Sequence, residues 1–238
     1  MNQTSWLPEK IKRVEPNPTA SADSPGIGVA HSHQRYILKA AFPGQPLLPA
    51  SEWASHGLAF ALDLPVPHWC VCELPNGQQC FGSRMEGAIV SNHVLPNSLD
   101  CVNPEVMSHT FVFDLLLGNE DRHPGNWLLT ETGGAKILRP IDFSRALLWR
   151  WPPSAMPPWP EPSNSGQYYK LAWMLKTCDK TAAESMLDSI VSLKKDKWVS
   201  IVDSIPGPWL SDAGRRELVN WWWSPIWRVR VKWIEGQL

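Results

Sequence analysis

The sequence predicts an α+β chain in two parts, a small sheet-containing part over residues 1–87 and a mainly helical part over residues 88–238. Three observations predict it. Runs rich in aromatic and β-branched residues, bounded by turn residues, fall mostly before residue 87. Residues 127–141 hold a separate strand pair around Gly133-Gly134. Beyond the Pro-rich stretch 152–162 the chain carries helical patterning, broken at Pro206-Gly207-Pro208.

Taken in order, residues 1–25 are polar and Pro-rich with weak periodicity and read as a loose start, flexible over about 1–20. Arg35-Tyr36-Ile37-Leu38-Lys39-Ala40 reads as a strand, with a hairpin turn at His31-Ser32-His33-Gln34 before it. Pro43 and Pro49 interrupt the pattern, and a helix follows to about Leu62 with Ser51 as its N-cap. Residues 66–74 and 79–85 read as two strands joined at Pro75-Asn76-Gly77. Residues 104–117 form an apolar helix, which Gly118 ends as a C-cap.

Composition narrows the function. With 43% apolar and 19% charged residues the chain is an ordinary globular one, long enough at 238 residues for a large core. A net charge of −1 argues against direct nucleic-acid binding and against an anionic membrane surface, leaving one local basic patch at Arg228, Arg230 and Lys232. No long apolar run suggests a signal peptide or a membrane span, and five cysteines suit a reducing compartment, so a soluble cytoplasmic protein is expected. Cys70, Cys72 and Cys80 lack the Cys-x-x-Cys spacing of zinc knuckles and read as buried small hydrophobes. The 15 tryptophans crowd the tail, where Trp221-Trp222-Trp223, Trp227 and Trp233 fit either a partner surface or core packing.

Chemistry concentrates in two runs, Gly118-Asn119-Glu120-Asp121-Arg122-His123-Pro124-Gly125-Asn126 and Pro140-Ile141-Asp142-Phe143-Ser144. An Asp with an Asn five residues on, followed by a hairpin ending in a second Asp, delivers hard oxygen donors to one point. Magnesium takes such donors, and phosphoryl transfer asks a protein mainly for positioning, metal and cations. His123 reads as a brace for this loop; Arg122 either pairs with a carboxylate or is exposed.

These runs resemble the catalytic and metal loops of HipA-like kinases, an atypical branch of the protein-kinase-like superfamily. They are also similar to phosphoinositide kinases, in which the Asp likewise precedes the His. Tyr36-Ile37-Leu38-Lys39, Leu64-Pro65-Val66-Pro67 and Phe81-Gly82-Ser83-Arg84 extend the resemblance over roughly residues 20–150. It implies a bilobal kinase fold, ATP and Mg2+ as cofactors, and transfer of the γ-phosphoryl group to a protein Ser or Thr. By position, Asp121 is the catalytic carboxylate, and Asn126 and Asp142 hold magnesium. Lys39 contacts the phosphates and is positioned by Glu52, and backbone groups of Met85, Glu86 and Gly87 face the adenine. A toxin–antitoxin setting, with an antitoxin-like regulatory partner, is implied as well. Two alternatives stand beside this: a kinase for a lipid or small molecule, and a pseudokinase that assembles partners through its Trp-rich tail. The sequence departs from protein kinases in having only Gly26-x-Gly28 in place of a full glycine loop, and Ser144 in place of the Gly after Asp142-Phe143.

Overall fold

The computed structural model describes residues 7–16, 26–85, 103–150 and 162–238. Five strands close into a barrel: β1 (Glu9–Glu15), β2 (Gly26–Ala30), β3 (Arg35–Lys39), β4 (Trp69–Glu73) and β5 (Gln79–Arg84), in the order β1-β2-β3-β5-β4. Neighbours run antiparallel except at the closure, where β1 lies parallel to β4 through Glu9↔Cys72 and Lys10↔Glu73. Ile11, Ala30, Tyr36, Leu38, Cys72, Leu74 and Cys80 fill the interior. The expected loose start thus contains a strand. Its run Glu-Lys-Ile-Lys-Arg-Val-Glu buries Ile11 alone, so alternation is almost invisible in the sequence.

Between β3 and β4 runs α1 (Leu48–Ala61). It begins three residues before Ser51, which is therefore inside the helix and not its cap. Pro49 starts the helix in its place, since its fixed φ suits the first turn and its missing N–H costs nothing there. The Ser51 hydroxyl instead donates to Ala146 O at 3.0 Å, which ties α1 to the chain after Asp142. Gly57 lets α1 lie close to Ile201, whose Cγ2 would be 2.9 Å from any Cβ placed there.

The long helix α2 (Val106–Leu117) is buried almost all round, which places it at the centre of the larger core. Gly118, at φ 67°, ends it in the left-handed turn that glycine adopts without strain. The strands β6 (Trp127–Thr132) and β7 (Ala135–Pro140) form the separate hairpin, paired from Trp127↔Pro140 to Thr132↔Ala135. The rest is helical: α3 (Asn164–Met174), α4 (Lys180–Ser192), α5 (Lys195–Asp203), α6 (Asp212–Trp221) and α7 (Pro225–Glu235). Ser163, Asp179, Ser211 and Ser224 cap α3, α4, α6 and α7 with side-chain oxygens. A 3-10 turn at Gly207–Trp209 makes the break expected there.

One continuous core joins α1, α2, the hairpin and the helical tail, with Trp69 and Phe81 reaching into it from the barrel. Trp222 stacks on Trp198 at 5.1 Å between ring centroids and meets Trp221 and Trp227 edge-on or tilted. Packing thus takes three of the tail tryptophans, while Trp223 keeps 39% of its surface exposed. Among the described residues no helix is long and apolar enough to cross a membrane.

Candidate active site

The loop from Gly118 to Asn126 leaves α2 and is fastened from below by Arg122, a fully buried cation. Its Nε donates to Asp114 Oδ2 at 2.7 Å and its Nη2 to Asp114 Oδ1 at 3.0 Å, the fork geometry that suits a carboxylate. Its Nη1 donates to Asn126 O (2.9 Å) and Ile141 O (2.6 Å), so one guanidinium holds both chemical loops. The rings of Trp127 and Phe143 flank it at 5.4 and 5.0 Å. Burial alone would lower the pKa of Arg122, but Asp114 outweighs it and the cation is held more firmly than usual. Asp114 also accepts from Asn119 Nδ2 and Tyr169 Oη, which engages both its oxygens twice. Of the two readings of Arg122, the buried ion pair is the one found.

The hairpin sets the distance between the loops. Asn126 precedes β6 and Asp142 follows β7, and Ile141 N–H donates to Asn126 O at 3.0 Å, so the hairpin's open end brings them together. Asn126 Nδ2 donates to Asp121 O at 2.7 Å, which turns its amide oxygen to the opposite side. His123 braces the turn, its Nδ1 accepting from Gly125 N–H at 3.1 Å. Asp121 itself is partly buried, and its Oδ1 accepts from Asn164 Nδ2 at 2.6 Å. Ser165 adds a second tie to α3, donating to Asn119 O and accepting from Arg122 N–H.

Lys39 comes from the far end of β3, 2% exposed, and its Nζ lies 2.7 Å from Asp142 Oδ2. Asp142 is at φ 59°, a left-handed conformation that Asp tolerates better than most residues. Ser144 holds that kink by donating its hydroxyl to Asp142 Oδ1 at 2.5 Å. Glu52 holds it too, its Oε2 accepting from Phe143 N–H at 3.1 Å. Burial would raise the Asp142 carboxyl, yet the Lys39 ammonium and the Ser144 hydroxyl keep it well below the usual range and ionised. Glu52 behaves oppositely: burial, aided by the nearby Asp142 charge, pushes it up to about 8 against the pull of Lys39. One helical turn on, His56 Nδ1–H donates to Glu52 O (2.9 Å), and the ring is pressed by Phe81 and Phe143, burial holding it down to about 3.

Met85 follows β5, with its N–H on Arg35 O (2.9 Å) and its carbonyl on Gln34 Nε2 (3.4 Å), so its backbone is engaged with the start of β3 and the residue before it. Glu86 and Gly87 lie outside the described residues. Cys70, Cys72 and Cys80 are free thiols, and among the described residues no three His, Cys, Asp or Glu side chains gather as a metal would need. Asn126 and Asp142 still suit magnesium. They supply hard oxygens, one of them a firmly ionised carboxylate, and magnesium takes most of its other ligands from phosphates and water. Sequence reasoning missed Asn164, Ser165, the hold of the Ser144 hydroxyl on Asp142 and the double role of Arg122. Ser163, a helix cap, was the one local signal near Asn164.

No protein-family model matches the chain, and no curated protein matches it. Among the solved structures that share its fold, two carry informative names. One is the Helicobacter pylori proinflammatory kinase CtkA, with a TM-score of 0.58 at 15% identity, covering 97% of this chain and 99% of that one. The other is HipA of Shewanella oneidensis MR-1, from the toxin–antitoxin complex with HipB and operator DNA. It gives a TM-score of 0.54 at 10% identity and covers 88% of this chain. The chain spans 59% of the length of that HipA. The likeness is one of fold: this chain has the α+β fold of the kinase CtkA and of HipA.

Proposed function

We propose that this chain is a bilobal, ATP- and magnesium-dependent kinase that transfers the γ-phosphoryl group to a protein Ser or Thr hydroxyl. The observation that carries the reading is the Lys39–Asp142 pair. A buried lysine from the barrel meets, at 2.7 Å, a carboxylate 103 residues away, beside the loop that presents Asn126 and Asp121. Barrel and helical part would then be the two lobes, meeting at this pair.

Lys39 would contact the non-transferred phosphates, and Glu52, seated on Phe143 N–H, would keep the Asp142 turn and α1 in register. Asn126 and Asp142 would hold magnesium, which supplies charge neutralisation on the phosphates. Asp121, steadied on one oxygen by Asn164, would orient the acceptor hydroxyl with the other and take its proton as oxygen attacks phosphorus and ADP leaves. HipA of the Shewanella complex is accompanied by HipB, which supports a regulatory protein partner here. Calorimetric titration of Mg·ATP tests the reading at its metal site. Asp142→Asn should weaken binding at least tenfold and remove its dependence on magnesium; equal affinity and equal turnover in the variant would overturn the assignment.

A further inference from the structure

Three of the exposed large apolar side chains crowd the last turn of α3 and its C-cap: Leu171 (39%), Met174 (71%) and Leu175 (39%). At about 100° per residue they share one face with Gln167, Lys170 and, at the helix start, Asn164. Asn164 is the residue whose amide holds Asp121 at 2.6 Å. The exposed stripe of α3 therefore begins at the proposed catalytic carboxylate and turns apolar over about 15 Å of helix. The charge on the helix and its C-terminal turn is one-signed, with Lys170 and Lys176 and no acid before Asp179, whose carboxylate caps α4.

We propose that this face of α3 docks the polypeptide segment next to the acceptor hydroxyl. This rests on the kinase reading above and deepens it by naming the surface that selects the acceptor and the sequence it favours. A small-molecule acceptor held at Asp121 would not reach Met174. An extended peptide covers that distance with about three to five residues at roughly 3.3 Å each. The segment would carry one large apolar side chain at that separation from its Ser or Thr, to cover Leu171, Met174 and Leu175. An acidic residue beside it would meet Lys170 or Lys176. The surface next to Asp121 thus selects an apolar and acidic stretch, not a basic one.

A positional-scanning library of Ser- and Thr-centred peptides, incubated with the whole chain and γ-labelled ATP, tests this. The expected result is selection for a large apolar residue about three to five positions from the acceptor, with acidic residues favoured nearby. Leu171→Ser/Met174→Ser should then raise KM for the best peptide about tenfold, a factor equal to roughly 1.4 kcal/mol. kcat, Mg·ATP affinity and the melting temperature should be unchanged, and Met174→Glu should reverse the acidic preference. Labelled peptides whose selection and KM are the same in both variants would overturn the docking face while leaving the kinase reading intact. Labelling of a lipid vesicle or a small alcohol, with no peptide labelled, would overturn the polypeptide acceptor itself.

Discussion

Arg122 and Asp114 form a two-pronged ion pair with neither side chain exposed, and the same guanidinium carries the carbonyls of Asn126 and Ile141. The pair is where the Gly118–Asn126 loop, the chain at Ile141 and α2 are joined. Losing one member would strand the other charge in the core, which costs about 3–5 kcal/mol for a buried pair. Arg122→Met should lower unfolding free energy by about that amount in urea, with phosphotransfer lost even where the variant remains folded. A loss below about 1 kcal/mol would show that the pair is dispensable to the fold.

Glu52 gives the stability a dependence on pH whose sign can be worked out. Its folded pKa of about 8 lies above the ordinary 4.5, so the folded carboxyl keeps a proton that the unfolded one releases. The stability it contributes is full below pH 4.5 and is lost as pH rises towards 8. His56, held at about 3 against an ordinary 6.5, acts oppositely, losing stability as pH falls below 6.5. From pH 6.5 to 8 Glu52 acts without His56. Urea unfolding should lose roughly 2 kcal/mol over that interval in the parent chain and little in Glu52→Gln. An equal loss in the variant would assign the slope to other groups.

The tail tryptophans divide by burial. Trp222 is 1% exposed and stacked on Trp198, so Trp222→Ala should cost about 3–5 kcal/mol. Trp223, 39% exposed at φ 64°, should cost no more than about 0.5 kcal/mol as Trp223→Ser. Thermal melts of the two variants check this, and equal losses would contradict the packing described.

The meeting of the two loops of the candidate site was legible because its spacing is local. The five-residue spacing from Asp121 to Asn126 and a hairpin marked by Gly133-Gly134 are enough to bring Asn126 close to Asp142. Helix α2 was legible from its apolar run and Gly118. Strand β1 was hidden because barrel closure asks only Ile11 to face inwards. The start of α1 was misplaced because Pro49 and Ser51 both mark helix starts, and the tertiary bond from Ser51 to Ala146 decided between them. Asn164 and Glu52 reach Asp121 and Phe143 across 43 and 91 residues, and no local pattern encodes such contacts. The fate of the tryptophans was also a matter of packing, since periodicity placed them on more than one face of the helices.

Asp121 gives the most direct test of the kinase reading, through γ-labelled phosphoryl transfer by the parent chain and by Asp121→Asn under saturating Mg·ATP. The variant should bind Mg·ATP as the parent does and melt within about 2 °C of it, while turnover falls about 10²–10⁴-fold, the usual worth of a positioned general base. Transfer by the variant at the parent's rate, with nucleotide affinity equal, would contradict the account.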